Sequence, residues 1–369
     1  MRVGVVSHTY VVPANRGKLE AVARKAGVEL LLLVPRRWTN RDLGHVVWAA
    51  PTAGAFRTVP LGAWASPVAA LLVYSPLALW RELRRFGPDV VHLEEEPWSV
   101  AALEVALLCG HIRVPFTFFT WENIDRALPP SLAWIRRSVL ARAAAAVAGS
   151  TEAGRLLAVH GFRRPIAVLP QLGVDPKRFA PAQAPAECVI GFVGRLVPEK
   201  GVFVLLEAAA RVSPAVRLLV VGNGPAKGAL LARARALGLD GRFELRDEVR
   251  HDEVPAQLQR MSLLVLPSLT TPAWKEQFGH VLIEAMACGV PVVGSDSGAI
   301  PEVIGDAGVV VKEGDPGALA AALDDLLRNA TRRADLIARG RSRVLAHYSD
   351  DSVARRLAAV WQGVLAGAS

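Results

Sequence analysis

Cysteine, aromatic residues and metal-ligand spacings are what this chain has least of, and each shortage removes a class of protein. There are 3 cysteines, Cys109, Cys188 and Cys288, far apart and without a CxxC pair. An odd, scattered set of thiols excludes a disulfide framework and a zinc-ligand set, so buried thiols in a reducing compartment are expected. Phe, Trp and Tyr together make up 6% of the residues, which leaves aliphatic side chains and alanine to fill the core. The opening MRVGVVSHTY has neither the long apolar segment nor the small-residue cleavage site of a signal peptide; it reads as a strand, and a cytoplasmic chain is the expectation. There is no short internal repeat and no low-complexity tract. The G-x-G-x-x-G fingerprint is missing after the first strand, where a dinucleotide cofactor would need it.

What is present is a hydrophobic share of 52% and a formal net charge of +9 over 369 residues. That length supports two domains with separate cores. A basic excess suits nucleic acid, an acidic membrane surface or anionic substrates. No RNP motif, recognition-helix pattern or zinc spacing accompanies it, so no nucleic-acid partner is expected. Diphosphate-bearing substrates and a peripheral contact with an anionic membrane account for the charge better.

The first half alternates apolar strands with helical patterns, the signature of a parallel sheet covered by helices on both faces. Strands are predicted over residues 2–7, 29–34, 89–93, 116–120, 146–149 and 166–169. Ligands of such sheets gather beyond the carboxyl ends of the strands, which brings 8–18, 94–98, 121–125 and 150–152 around one crevice. Gly17, between Arg16 and Lys18 near a helix start, is a candidate anion contact, with a plain connection carrying solvated basic residues as the alternative. Glu94, Glu95 and Glu96 would resist joint ionisation if buried and are expected to be mostly solvated. From Thr58 to Trp80 no residue is charged, but Pro60, Pro67 and Pro76 would break a spanning helix. A helix buried against the sheet is favoured there over an interfacial patch backed by Arg81, Arg84 and Arg85.

The second half repeats the pattern. A strand at 189–193 runs into Gly194-Arg195 and on to Lys200-Gly201, placing a guanidinium fork and a point charge just past a strand end. Gly222-Asn-Gly224 reads as a tight turn near a nucleotide base, and His251 as a surface or capping residue. The richest stretch is 276–302, EQFGHVLIEAMACGVPVVGSDSGAIPE. Phe278-Gly279 reads as a turn into a helix over 281–287 that carries Glu284 and stops at Cys288-Gly289, followed by a buried strand. Strand end, glycine turn and helix start together make an anion site. Its flanking acids, Glu276 and Glu284, suit sugar hydroxyls rather than the phosphate itself.

Glu276-x7-Glu284, the EAMACGVPVVGS run and Gly298-x-x-Pro301-Glu302 resemble the signature of the family 4 (group 1) retaining glycosyltransferases. The resemblance implies an α/β, GT-B fold: two Rossmann-like domains with parallel sheets facing across a cleft. It implies domains of 1–180 for the acceptor, 181–345 for the nucleotide sugar, and a helical segment 346–369 packing back on the first domain. Pro170-Gln-Leu-Gly173-Val174-Asp175 resembles the family's turn into the linker, without its asparagine, and the run 180–186 is expected as the boundary. By resemblance, Arg195 and Lys200, beside Gly194, hold the diphosphate. Glu284 takes the ribose hydroxyls, Glu276 the transferred sugar, and the amides of Phe278 and Gly279 further phosphate oxygens. Gly17 stands where the family often has a glycine pair. Trp121-Glu122 stands where many members carry a histidine, which leaves Glu122 as the candidate polar group there. One of Glu94 to Glu96 is a candidate for acceptor hydroxyls.

The activity implied is metal-independent, same-face transfer from a nucleotide-diphosphate sugar to a saccharide or lipid-linked acceptor, with no cofactor besides the donor. A sugar-nucleotide epimerase of similar fold, whose product stays nucleotide-linked, and a catalytically silent nucleotide-sugar binder are the alternatives.

Overall fold

The computed structural model describes residues 1–24, 27–40, 45–49, 52–64, 69–183, 185–212 and 216–367. The chain divides into two compact units, Met1–Gly173 with Asp350–Ser369, and Val174–Ser349.

The first unit contains β1 (Arg2–Val6), β2 (Glu29–Pro35), β3 (Arg37–Asn40), β4 (His45–Trp48), β5 (Thr52–Ala53), β6 (Arg57–Leu61), β7 (Ala63–Trp64), β8 (Val73–Tyr74), β9 (Val90–Leu93), β10 (Phe116–Thr120), β11 (Ala145–Ala148) and β12 (Ile166–Val168). Eight of them form one sheet in the order β12-β11-β10-β9-β1-β2-β6-β5. Every pairing is parallel except that of β5 with β6. Two-residue alternation divides the strands between two cores. Leu31, Leu33, Val91 and Leu93 face a core closed by the helices Pro76–Phe86, Val100–Ile112 and Pro130–Arg142. Leu30, Leu32, Val34 and Val90 face the helix Gly17–Ala23 and the final helix, Asp350–Ala366, whose Trp361 is fully buried.

The second unit holds β13 (Val189–Val193), β14 (Arg217–Val221), β15 (Phe243–Arg246), β16 (Leu263–Leu266), β17 (Val292–Ser295) and β18 (Gly308–Val311) in one sheet, ordered β15-β14-β13-β16-β17-β18. All its pairings are parallel. Local chemistry sets its helix starts. The Asp315 carboxylate accepts the amides of Gly317 and Ala318, both at 2.9 Å, and Pro316 opens the helix Pro316–Arg328.

Two expectations are corrected. The uncharged run from Thr58 to Trp80 is not one buried helix. It is divided among β6, β7, β8 and the start of the helix at Pro76, because its prolines interrupt helical hydrogen bonding; Pro67 lies outside the described residues. Cys188 is exposed, one residue ahead of the central strand β13, whereas Cys109 and Cys288 are buried. The run 180–186 lies inside the second unit, with Ala184 outside the described residues. The chain enters that unit at Val174 and leaves it at Ser349, two positions bridged through their backbones. Among the described residues, no helix is long and apolar enough to cross a membrane.

Candidate active site

In the second unit the strand order reverses between β13 and β16, and loops leaving the carboxyl ends of two such strands splay apart to leave a crevice. Lys200 reaches this place from the loop after β13, and Ser268 stands just beyond β16. Their target is Glu276: Lys200 Nζ and Ser268 Oγ each donate to its Oε2 at 2.7 Å. The Lys200 ammonium also lies 5.1 Å from the centre of the Trp274 ring. Two glycines permit the approach. Gly201 has φ 68°, and a Cβ there would stand 1.7 Å from the Pro267 carbonyl oxygen. Gly298 has φ 54°, and a Cβ there would stand 2.0 Å from the Glu276 carbonyl oxygen, which also accepts the Ala299 amide at 3.0 Å. Gly298→Ala is therefore expected to cost about 1–3 kcal/mol of stability and to weaken nucleotide-sugar binding by displacing Glu276; denaturant melts and donor titrations read the two effects.

Glu284 is buried on the helix His280–Ala287, which begins at Gly279 with φ 81°. Its Oε1 meets His251 Nε2 at 3.0 Å and His280 Nδ1 at 3.2 Å. Burial alone would raise the carboxyl, but His280 and His251 outweigh it and hold Glu284 down at about 2. The site thus joins a carboxylate bonded to a cation, a second carboxylate held ionised, and a helix start. Arg195 is exposed, directly after Gly194 at the end of β13. The structure brings Lys200 and Glu276 together and surrounds Glu284 with two imidazoles. Ser268 and His280 were not among the residues singled out in sequence, and His251, read there as a surface or capping residue, is instead a partner of Glu284. Position beyond a strand end was the available signal for Ser268, and the four-residue spacing to Glu284 was the signal for His280.

The first unit reverses its order between β1 and β9, and three carboxylates lie just past β9. They are not solvated. Glu94 is 1% exposed and Glu95 3%, because cations and hydroxyls from other elements meet them. Glu94 pairs with the equally buried Lys18 and accepts from the Tyr10 hydroxyl at 2.6 Å and the Gln171 amide at 3.1 Å. Burial pushes Glu94 up, yet Lys18 and His92 bring it down to about 2. Glu95 accepts the His8 amide at 2.8 Å and the Tyr74 hydroxyl at 3.1 Å on one oxygen, and lies 2.6 Å from His8 Nδ1 on the other. Glu96 takes the Thr120 hydroxyl and the Trp121 amide, and burial raises it to about 7.

The basic residues around Gly17 are likewise committed. Arg16 donates to the Tyr10 carbonyl at 2.8 Å, and Lys18 is spent on Glu94. Gly17 itself is crowded by Asp350, whose Oδ2 would stand 2.3 Å from an added Cβ. The helix that starts at Gly17 thus packs closely against the final helix. Glu122 lies 3.8 Å from Arg136, and burial raises it despite that cation. Trp121, in the histidine's expected place, donates its indole N–H to Gln171 at 2.9 Å.

Two α/β units, each with a parallel sheet that reverses its strand order at a polar cluster, define a protein of the GT-B glycosyltransferase fold. Residues 174–343 match the family model of glycosyl transferases group 1, and residues 19–178 match that of glycosyltransferase family 4. The chain belongs to this family. The 2-deoxystreptamine glucosyltransferase of Streptomyces kanamyceticus is 30% identical over 252 residues, which are 60% of this chain and 63% of that protein. The D-inositol 3-phosphate glycosyltransferase of Salinispora tropica is 33% identical over 268 residues, 64% of this chain and 54% of that one. The match thus spans a little over half the length of these relatives. Among solved structures, sucrose-phosphate synthase from Thermosynechococcus elongatus superposes with a TM-score of 0.76 at 19% identity over 100% of both chains. Anabaena HepE, solved with UDP, does so with 0.74 at 16% identity over 98% of this chain and 100% of that one.

Proposed function

We propose that this protein transfers a glycosyl group, with retention, from a uridine-diphosphate sugar to a hydroxyl of a saccharide or lipid-linked acceptor. The observation that carries the reading is the convergence of Lys200, Ser268 and Glu276 at the point where the second sheet reverses its strand order. In this reading Lys200 and Arg195 hold the diphosphate, with the backbone at Gly194 and the helix start at Phe278–Gly279 adding amide contacts. Glu276 accepts from hydroxyls of the transferred sugar. Glu284, kept ionised at neutral pH by its imidazoles, accepts from the ribose hydroxyls. The choice of uridine rests on family relation and on HepE, which was solved with UDP.

Cleavage of the anomeric bond leaves electrons on the diphosphate and positive charge on the sugar. Fixed cations stabilise the first, and the Glu276 carboxylate the second. The acceptor oxygen attacks from the face the diphosphate leaves, and a phosphate oxygen takes the acceptor's proton. Two curated relatives are named for 2-deoxystreptamine and D-inositol 3-phosphate, ring compounds that offer hydroxyls as acceptors.

A thermal-shift panel of UDP, GDP and ADP tests the donor assignment, since a ligand of the native state raises its stability by mass action. UDP at 100 times its Kd is expected to add about 2.7 kcal/mol; a preference for GDP or ADP would refute the uridine assignment, and no shift with any of the three would refute the site.

A further inference from the structure

We propose that His8, aligned by Glu95, is an acceptor-binding residue: its Nε2 accepts a hydrogen bond from a ring hydroxyl of the acceptor. The proposal rests on the transferase reading and supplies that reading with a residue in the first unit.

The geometry points to it in four ways. His8 follows β1 and Glu95 follows β9, the two strands between which the first sheet reverses its order, where ligands of such sheets collect. Glu95 is held as a hydrogen-bond acceptor, because it already takes the His8 amide and the Tyr74 hydroxyl. The imidazole 2.6 Å from it must therefore donate through Nδ1, which fixes the tautomer and leaves the Nε2 lone pair available. Third, Nε2 meets no hydrogen-bond partner among the described residues, and about a quarter of the side chain (24%) is exposed. Finally, the ring is braced by Trp38, with centroids 4.3 Å apart and planes tilted by 37°. A buried carboxylate, a committed tautomer and a stacked ring make an oriented acceptor of hydroxyl protons rather than a mobile surface histidine.

The charges around His8 give the interaction a pH signature. Burial disfavours its cation, but Glu95 in contact, and Glu94 and Glu96 through space, outweigh that and raise the imidazole above its ordinary value. Glu94 is itself neutralised by Lys18, and the Tyr74 hydroxyl on Glu95 stays protonated because burial raises it. The protonated ring carries N–H at both nitrogens, so Nε2 turns from accepting the hydroxyl proton to donating to the hydroxyl oxygen, and the acceptor KM changes as pH falls through this raised value.

The test follows UDP release from UDP-glucose with 2-deoxystreptamine, D-inositol 3-phosphate and myo-inositol, and without acceptor, in the wild type, His8→Asn and Glu95→Gln. The acceptor's own titration is common to all three proteins. His8→Asn, which keeps a donor toward Glu95 but has no atom in the place of Nε2, is expected to raise the acceptor KM about tenfold, the loss of roughly one net hydrogen bond, with kcat and the donor KM unchanged and the pH-dependent limb of the acceptor KM abolished. Glu95→Gln is expected to move that limb to lower pH. UDP-induced stabilisation equal to wild type reports that each variant is folded. Equal acceptor KM and equal pH profiles in wild type and His8→Asn, with transfer intact, would overturn the role of His8 alone. No transfer by the wild type to any of the three acceptors would overturn the inference together with the reading beneath it.

Discussion

Lys200→Ala is expected to lower UDP release from a UDP-sugar about 100- to 1,000-fold, the range for removing one preorganised donor from a developing anion. Three features make Lys200 a fixed rather than a mobile cation. It is anchored to Glu276 at 2.7 Å, it lies against the Trp274 ring, and it precedes a glycine whose φ of 68° sets the loop on the Pro267 carbonyl. A fixed charge needs no reorganisation when the leaving diphosphate gains electrons. Alanine also leaves the Glu276 carboxylate without its cation, so the donor's phosphates would face a net negative site. Lys200→Arg keeps the charge but replaces a point charge with a planar fork, and is expected to recover only part of the rate. Turnover within fivefold of wild type in Lys200→Ala would remove Lys200 from the mechanism.

The second large effect concerns stability. Lys18→Met is expected to destabilise the protein by about 3–5 kcal/mol, the cost of leaving a buried charge unpaired. Lys18 and Glu94 are both buried, with side chains 2% and 0% exposed. Lys18→Met/Glu94→Gln is expected to restore most of the loss, because replacing both charges removes the uncompensated carboxylate. Denaturant titration measures both proteins; a loss under about 1 kcal/mol in the single variant would show that water reaches the pair. The pH dependence has a definite sign. Glu94 is held at about 2 in the folded chain, below its ordinary 4.5. Its contribution is complete above the ordinary value and is lost as pH falls from about 4.5 toward about 2.

These expectations rest on pairings of unequal legibility. Strands were readable because each is a short apolar run ended by a turn: β10 and β13 fall on the expected residues, and β1, β2 and β9 within one residue of them. The motif residues of the second unit were readable because Glu276 and Glu284 share a helix start with the glycines that shape it. Sheet order was not, since nothing local records that β13 lies beside β16 or β1 beside β9. The reading of Glu94 to Glu96 as solvated failed for that reason. Three adjacent acids look repulsive in one segment, and the partners that permit their burial (Lys18, His8, Tyr10, Tyr74) arrive from the turn and helix after β1 and from β8. The neighbour of Gly17 was hidden in the same way, because Asp350 lies more than three hundred residues away in sequence and against it in space. The pairing of His251 with Glu284 was likewise hidden, as it joins a loop to a helix 33 positions on.

The most direct measurement of the central claim is a crystal structure of the protein with UDP-glucose bound. The account predicts the pyrophosphate within hydrogen-bond distance of Lys200 and Arg195 at the start of the helix His280–Ala287, with the ribose on Glu284 and the glucose hydroxyls on Glu276. A nucleotide bound at another place, or bound here with Lys200 and Arg195 both turned away from its phosphates, would contradict it.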